Sequence, residues 1–272
     1  MRSRNGRHDR QLTVIIVTAN PAVVLEIATA TDAGMVRPHN EDSIAAHPEI
    51  GLAVLADGMG GYNAGEVASG MAVAMLTAEM KRALEAHSPH GIGVAGEPLA
   101  VKLIKENSAK ANAAIYEAAR SQPQYAGMGT TLVMALFYDQ RMTVGHVGDS
   151  RLYRLRTGRF EQITRDHSLL QEQIDGGLIT REQARYSRNR NLVTRAVGVD
   201  PEVETEIHTY EVEPGDIYLL CSDGLSDMIP DQGIHDALGA LQSNLPLAAR
   251  QLVQLANDSG GRDNISVILV RV

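Results

Sequence analysis

With 272 residues, 44% of them hydrophobic, the chain is long enough to bury a substantial core in one large domain, which argues against a chain disordered as a whole. A formal net charge of -8 argues against a general nucleic-acid binder, because duplex binding draws on clustered Lys and Arg that release phosphate counterions. One cysteine, Cys221, excludes an internal disulfide framework, and its apolar setting makes it a core residue in a reducing cytoplasm.

Met1 to Arg10 carry four arginines, and residues 1–21 read as a flexible basic tail ahead of a folded unit over 22–272. The apolar stretch 12–17 is too short for a signal core. No segment reaches the roughly 18 continuous apolar residues that span a bilayer, so no membrane span is expected. A first strand is predicted over 23–29, then a polar loop with Pro38, Asn40, Glu41 and Asp42, then a second strand over 52–56. Helical spacing of Val67, Met71, Met75, Leu76, Met80 and Leu84 predicts a long amphipathic helix over 65–87. A connector over 88–98 leads to a second helix over 99–120, expected to pair antiparallel with the first. Strands follow over 131–138, 142–147 and 152–156, and their short links predict antiparallel pairing between neighbours. Residues 168–195 break the regularity with Gly176, Gly177 and a charged run, a candidate surface flap with short helices. Strands over 203–210, 216–221 and 265–272 and helices over 231–241 and 245–258 complete the chain. Strands grouped with strands and helices with helices suggest α+β layers.

Three aspartates occupy comparable places: Asp57 and Asp223 each follow an apolar run, and Asp263 precedes one. Glycines adjoin all three, letting the backbone turn tightly or approach a ligand closely. Carboxylates gathered at one place would repel one another and be costly to desolvate. Hard divalent cations such as Mg²⁺ or Mn²⁺, which prefer oxygen ligands, would resolve that conflict. Any single Asp-Gly is more often a turn former than a ligand. The joint pattern Asp57-Gly58-Met59-Gly60-Gly61, Ser222-Asp223-Gly224-Leu225 and Gly260-Gly261-Arg262-Asp263-Asn264, beside Asn40-Glu41-Asp42, is far more specific.

With Thr31-Asp32, Gly34, Arg37, Gly129-Thr130-Thr131, Gly148-Asp149-Ser150-Arg151 and Asp166-His167-Ser168 in order, the chain resembles the metal-dependent serine/threonine protein phosphatases of type 2C, the PPM family. The resemblance covers 27–272 and implies a four-layer α-β-β-α sandwich, two central antiparallel sheets flanked by pairs of antiparallel helices. It implies that Asp57 bridges two cations, Mn²⁺ or Mg²⁺, that the Gly58 carbonyl supports one, and that Asp223 and Asp263 complete the protein ligands. Glu41 and Asp42 would hold metal-bound waters, and Asp149 would share a weaker third metal with Asp223, although a strand-end turn also explains Asp149. Arg37 would grip the substrate phosphate with its planar donor fork, the alternative being an exposed loop arginine. A hydroxide bridging the two cations would attack phosphorus in line. No Cys-x5-Arg loop surrounds Cys221, so a cysteine phosphatase is not indicated.

Met59 stands where many eukaryotic relatives carry a histidine that can protonate the leaving group, so that proton is expected from a metal-bound water, with His39, His146 and His167 as weaker candidates. Phosphorylated proteins are the expected substrates and a serine/threonine kinase the expected antagonist, with the protein a cytoplasmic monomer. Two rivals stay open: a phosphatase of small phosphoesters with the same centre, and a phospho-binding module without activity.

Overall fold

The computed structural model describes residues 11–19, 23–61, 64–89, 91–92, 96–184, 187 and 192–272. In chain order the strands and helices are β1 (Gln11–Ala19), β2 (Val23–Asp32), β3 (Asp42–His47), β4 (Leu52–Met59), α1 (Ala64–Ala86), α2 (Leu99–Ser121), β5 (Gly129–Thr130), β6 (Leu132–Tyr138), β7 (Arg141–Val147), β8 (Arg151–Arg156) and β9 (Arg159–Gln162). They continue with α3 (Leu169–Asp175), α4 (Arg181–Ala184), β10 (Glu206–Glu211), β11 (Ile217–Cys221), α5 (Asp223–Ser226), α6 (Asp231–Leu241), α7 (Leu245–Asp258) and β12 (Ile265–Arg271).

Successive side chains of a strand point to opposite faces, so a strand that is apolar at every position must be covered on both. Strands β6 and β11 are buried throughout. Along β6, Leu132, Met134 and Leu136 join a core with Leu76 and Met80 of α1 and Ile104 and Ile115 of α2. The alternate residues Val133, Ala135 and Phe137 meet Leu220 of β11 and Ile268 and Val270 of β12 in a second core. Leu219 and Val267 turn the other way, toward Leu238 of α6 and Leu252 of α7. The result is four layers: α1 and α2, a sheet ordered β10-β7-β6-β4-β3 with β5 beside β4, a sheet ordered β1-β2-β12-β11-β8-β9, and α6 and α7. All strand pairings are antiparallel. The α+β sandwich expected from the sequence is the one observed.

The sequence and the structure differ in three places. Strand β8 does not continue the meander of β6 and β7; it pairs with β11 and β9, so the link over 148–150 carries the chain from one sheet to the other. A short link specifies proximity of strand ends, not membership of one sheet. Strands β3 and β9 carry no strand pattern in the sequence because edge strands mix polar and apolar residues, as in Asp42–His47. Finally, residues 11–19, expected to belong to a flexible tail, form β1 along the open edge of β2, with Ile15 opposite Ile27. A run of β-branched residues suits such an edge, which would otherwise leave the backbone groups of β2 unpaired. The arginine-bearing residues 1–10 lie outside the described residues. Among the described residues no helix is long and apolar enough to cross a membrane.

Replacing Leu220, fully buried between the sheets, with alanine leaves a cavity where neither sheet can collapse. Leu220→Ala is expected to lower the unfolding free energy by about 2–5 kcal/mol, read from the midpoint of a urea transition.

Candidate metal centre

Antiparallel pairing brings the exit of one strand beside the entry of its neighbour. Asp42, at the start of β3, lies directly opposite Asp57, near the end of β4. In the other sheet β11 runs out toward Asp223 where β12 begins, just after Asp263, and Asp32 at the end of β2 pairs with Ile265. The link over 148–150, which crosses between the sheets, adds Asp149. Both sheets thus deliver carboxylates to the same end of the sandwich, and Ser222 Oγ donates across to Asp42 Oδ2 at 2.8 Å.

Hydrogen bonds and main-chain packing fix the acidic turns. Thr131 N and Thr130 Oγ1 both donate to the Asp57 carbonyl at 2.8 Å, and Gly58 N donates to Glu41 O at 3.1 Å. A Cβ on Gly58 would stand 2.1 Å from Gly65 O, and one on Gly224 would stand 2.0 Å from Asn264 O. Only glycine allows these approaches. Asn264 ties the acidic loop down: its Oδ1 accepts from Glu41 N at 2.8 Å, while its Nδ2 donates to Ala33 O at 3.0 Å and His39 O at 2.8 Å. In the sequence Asn264 is marked only by its neighbour Asp263, and its three hydrogen bonds to distant main chain leave no local pattern.

This convergence is electrostatically unfavourable without cations. Burial, then Asp42, Asp223, Asp149 and Asp263 in turn, hold the Asp57 carboxyl well above the usual carboxylate range. Burial and the nearby Asp149 do the same to Asp223. Burial pushes Asp42 up to about 6, against the hydrogen bonds it accepts, and Asp149 up to about 7. Glu41 is raised by burial as well. Asp42 Oδ1 and Asp223 Oδ1 are buried without a hydrogen-bond partner. Such atoms, in a set made only of oxygen donors, fit hard divalent cations. Arg37 stands at the rim, its side chain 48% exposed, with Nη2 donating to Asp263 Oδ2 at 2.7 Å. The predicted residues Arg37, Glu41, Asp42, Asp57, Gly58, Asp149, Asp223 and Asp263 are therefore gathered in one place.

Among the described residues, however, the trio whose ligating atoms lie within 4.8 Å of one another is His146, His167 and Glu206. No three of the described aspartates bring ligating atoms that close together, an arrangement compatible with ligands shared between two ions about 3.5–4 Å from each other. Most of the histidine trio's ring nitrogens are committed to hydrogen bonds, and the exception, His146 Nδ1, is buried without a partner. The Arg165 carbonyl, 2.8 Å from His146 Nε2, can only accept. Gly148 N donates to His167 Nδ1 at 3.1 Å, leaving His167 Nε2 to donate to Glu206 Oε2 at 3.2 Å. With its acceptor nitrogen occupied, His167 offers a cation no lone pair. Burial lowers the pKa of both imidazoles, and their rings stack with centroids 4.7 Å apart. Neither is placed at the rim as a leaving-group donor; the trio links the turn before Asp149 to the base of the flap. His39 is exposed, and Met59 offers no proton.

The flap expected over 168–195 begins with Ser168 capping α3, its Oγ accepting from Gln171 N at 3.3 Å. Its two ends meet where Leu169 N donates to Leu192 O at 2.9 Å and Thr194 N to His167 O at 2.8 Å. Residues 185–186 and 188–191 of its charged run lie outside the described residues. Cys221 is fully buried and its thiol is pushed up to about 12, which denies it a nucleophilic role.

Residues 37–257 match the family model described as "Protein phosphatase 2C". The chain is 40% identical over 254 residues to the serine/threonine protein phosphatase PstP of Mycobacterium tuberculosis, covering 93% of this chain and 46% of PstP, so it spans about half the length of that relative. It is 37% identical to the serine/threonine phosphatase stp of Listeria welshimeri, over 88% of this chain and 93% of that one. A crystal structure of the catalytic domain of PstP in complex with two manganese ions superposes with a TM-score of 0.79 at 37% identity, covering 91% of this chain and 97% of that one.

The raised carboxyls couple metal binding to pH. From the unfolded value of about 4 up to the folded values of about 6 for Asp42 and about 7 for Asp149, the folded protein holds extra protons. The metal-free protein therefore loses this contribution to stability as pH rises through that window. Below those folded values, cations must displace protons, weakening apparent affinity about tenfold per pH unit for each proton displaced. Mn²⁺ added to metal-stripped protein is expected to raise Tm more at pH 8 than at pH 5.5 in differential scanning calorimetry. Equal gains would contradict the coupling.

Proposed function

The chain belongs to the protein phosphatase 2C family of metal-dependent serine/threonine phosphatases, and we propose from that membership that it hydrolyses phosphoserine and phosphothreonine in proteins with two divalent cations, Mn²⁺ or Mg²⁺. The observation that carries this reading is the gathering of buried carboxylates from both sheets, with Asp42 Oδ1 and Asp223 Oδ1 lacking any partner.

In this reading Asp57 serves both cations, the Gly58 carbonyl supports one, and Asp223 and Asp263 supply the remaining protein oxygens. Glu41 and Asp42 orient water in the shell around the cations, and Asp149 shares a weaker third cation with Asp223. The cations, once bound, supply a water-derived nucleophile at neutral pH and offset phosphoryl charge. Arg37 provides the guanidinium fork for the phosphate, and its partner Asp263 keeps it at the rim. The catalytic unit takes in β1 as well as the expected 22–272, and the flap over 168–195 admits protein substrates. A phosphoprotein substrate, an opposing serine/threonine kinase, a cytoplasmic setting and a monomeric state complete the proposal.

Purified protein is expected to hydrolyse an aryl phosphate and a phosphothreonine peptide only with added Mn²⁺ or Mg²⁺. Asp57→Asn and Asp223→Asn should abolish both activities, and Arg37→Ala should lower kcat/KM roughly 10²-fold, the scale of losing one donor to developing charge. Turnover in the presence of chelator would overturn the reading.

A further inference from the structure

Strand β4 changes partners on one edge just before the metal centre. On the other edge β3 stays with it as far as Asp57, but its pairing with β6 ends at Leu55, and Gly58 and Met59 pair with Thr130 and Gly129 of β5. Strand β5 has only 2 residues, too few to order itself, so its position depends on what lies along its far side. The segment returning from the flap lies there: Thr130 N donates to Val197 O at 2.9 Å and Val197 N to Thr130 O at 2.8 Å. Beyond that bridge residues 198–201 belong to no helix or strand and need an anchor of their own. Asn112 of α2 supplies it. The residue is 1% exposed, and burying an amide is unfavourable unless its hydrogen bonds are met. Its Oδ1 accepts from Gly198 N at 2.7 Å, and its Nδ2 donates to Asp200 O at 3.0 Å and Pro201 O at 3.2 Å. Gly198, at φ +89°, lies so close to the helix that a Cβ would stand 2.2 Å from Ile115 Cγ2.

We propose that Asn112 is a positioning residue of the metal centre: by holding residues 198–201 on α2 it keeps Val197 against β5, and through β5 it fixes the backbone of Asp57 and Gly58. The inference rests on the two-cation centre of the reading above and not on its substrate. The chain of contact is short. Asn112 grips the loop, Val197 brackets Thr130, and Thr130 Oγ1 donates to the Asp57 carbonyl at 2.8 Å. Without the amide, Gly198 N, Asp200 O and Pro201 O turn to water, the loop lifts from α2, and β5 loses its far neighbour. Groups that orient metal ligands govern affinity because they preform the cage, and Asn112 does so for a ligand-bearing strand.

The test titrates Mn²⁺ into the metal-stripped full chain by isothermal titration calorimetry. Asn112→Ala should weaken Mn²⁺ binding about tenfold, the low end of what losing an orienting partner costs. Asn112→Asp is the gentler variant: it keeps the shape and the acceptor for Gly198 N, gives up the donations to Asp200 O and Pro201 O, and should weaken binding in the same direction. Amide hydrogen exchange should quicken at Thr130 and Val197, the two donors of the bridge. Asn107→Ala serves as control, since Asn107 is also buried on α2 but its Nδ2 reaches Met80 Sδ at 3.5 Å; it should lower Tm and leave the Mn²⁺ constant alone. An unfolded fraction reduces the number of sites and not the constant, so loss of fold is read separately from loss of position. Parent-like Mn²⁺ affinity in both Asn112 variants, unchanged exchange at Thr130 and Val197, or an equal weakening in Asn107→Ala would overturn the positioning role. Mn²⁺ binding by the parent without hydrolysis of aryl phosphate or phosphopeptide would overturn the phosphatase reading and leave this inference standing, and no Mn²⁺ binding by the parent would overturn both.

Discussion

Mutual repulsion among desolvated carboxylates is the constraint around which this protein is arranged. Asp42, Asp57, Asp149 and Asp223 all have carboxyls held above their ordinary range, with burial as the leading cause. Left to themselves, such groups would separate or draw in water. What holds them is the work done elsewhere: three apolar cores, one between the sheets and one under each helix pair, fix the strand ends from which the acids project. Burying a single Leu side chain contributes about 1.5–3 kcal/mol, and dozens of buried apolar residues share the load.

The link over 148–150 explains how two sheets act as one support. It leaves β7 in one sheet, enters β8 in the other, and carries Asp149 at the crossing. His167 grips the start of this link through Gly148 N, and the strand that follows places Arg151 against Asp166. The flap springs from the next residues, so its base and the acidic cluster are joined by a few hydrogen bonds rather than by a long lever.

Much of this was legible in the sequence, for physical reasons that differ from element to element. The helices over 64–86, 99–121, 231–241 and 245–258 announced themselves because apolar residues at helical spacing face a sheet. The central strands of the two sheets read as continuous apolar runs because both faces are covered. The edge strands β3 and β9 did not, since an edge tolerates polar residues and their pattern resembles a loop. Asp57, Asp223 and Asp263 stood out through repeated glycine-flanked contexts at strand ends. Asn264 and Ser222 did not, because a hydrogen bond between residues distant in sequence leaves no local pattern; Ser222 reaches Asp42 across 180 positions. The pairing of β8 is not legible in the sequence, because turn length constrains distance and is silent about which sheet the chain enters next.

The main-chain packing at Gly58 and Gly224 has a consequence for descent. These turns are positioned by atoms that every residue possesses and by the absence of a side chain, not by the acids they carry. A lineage that exchanged one aspartate for a neutral residue would shed repulsion and keep its outline. Chemistry is therefore the fragile inheritance of this architecture and shape the durable one. Descendants that retain the glycines while losing the acids would keep the outline of the fold and none of its metal chemistry.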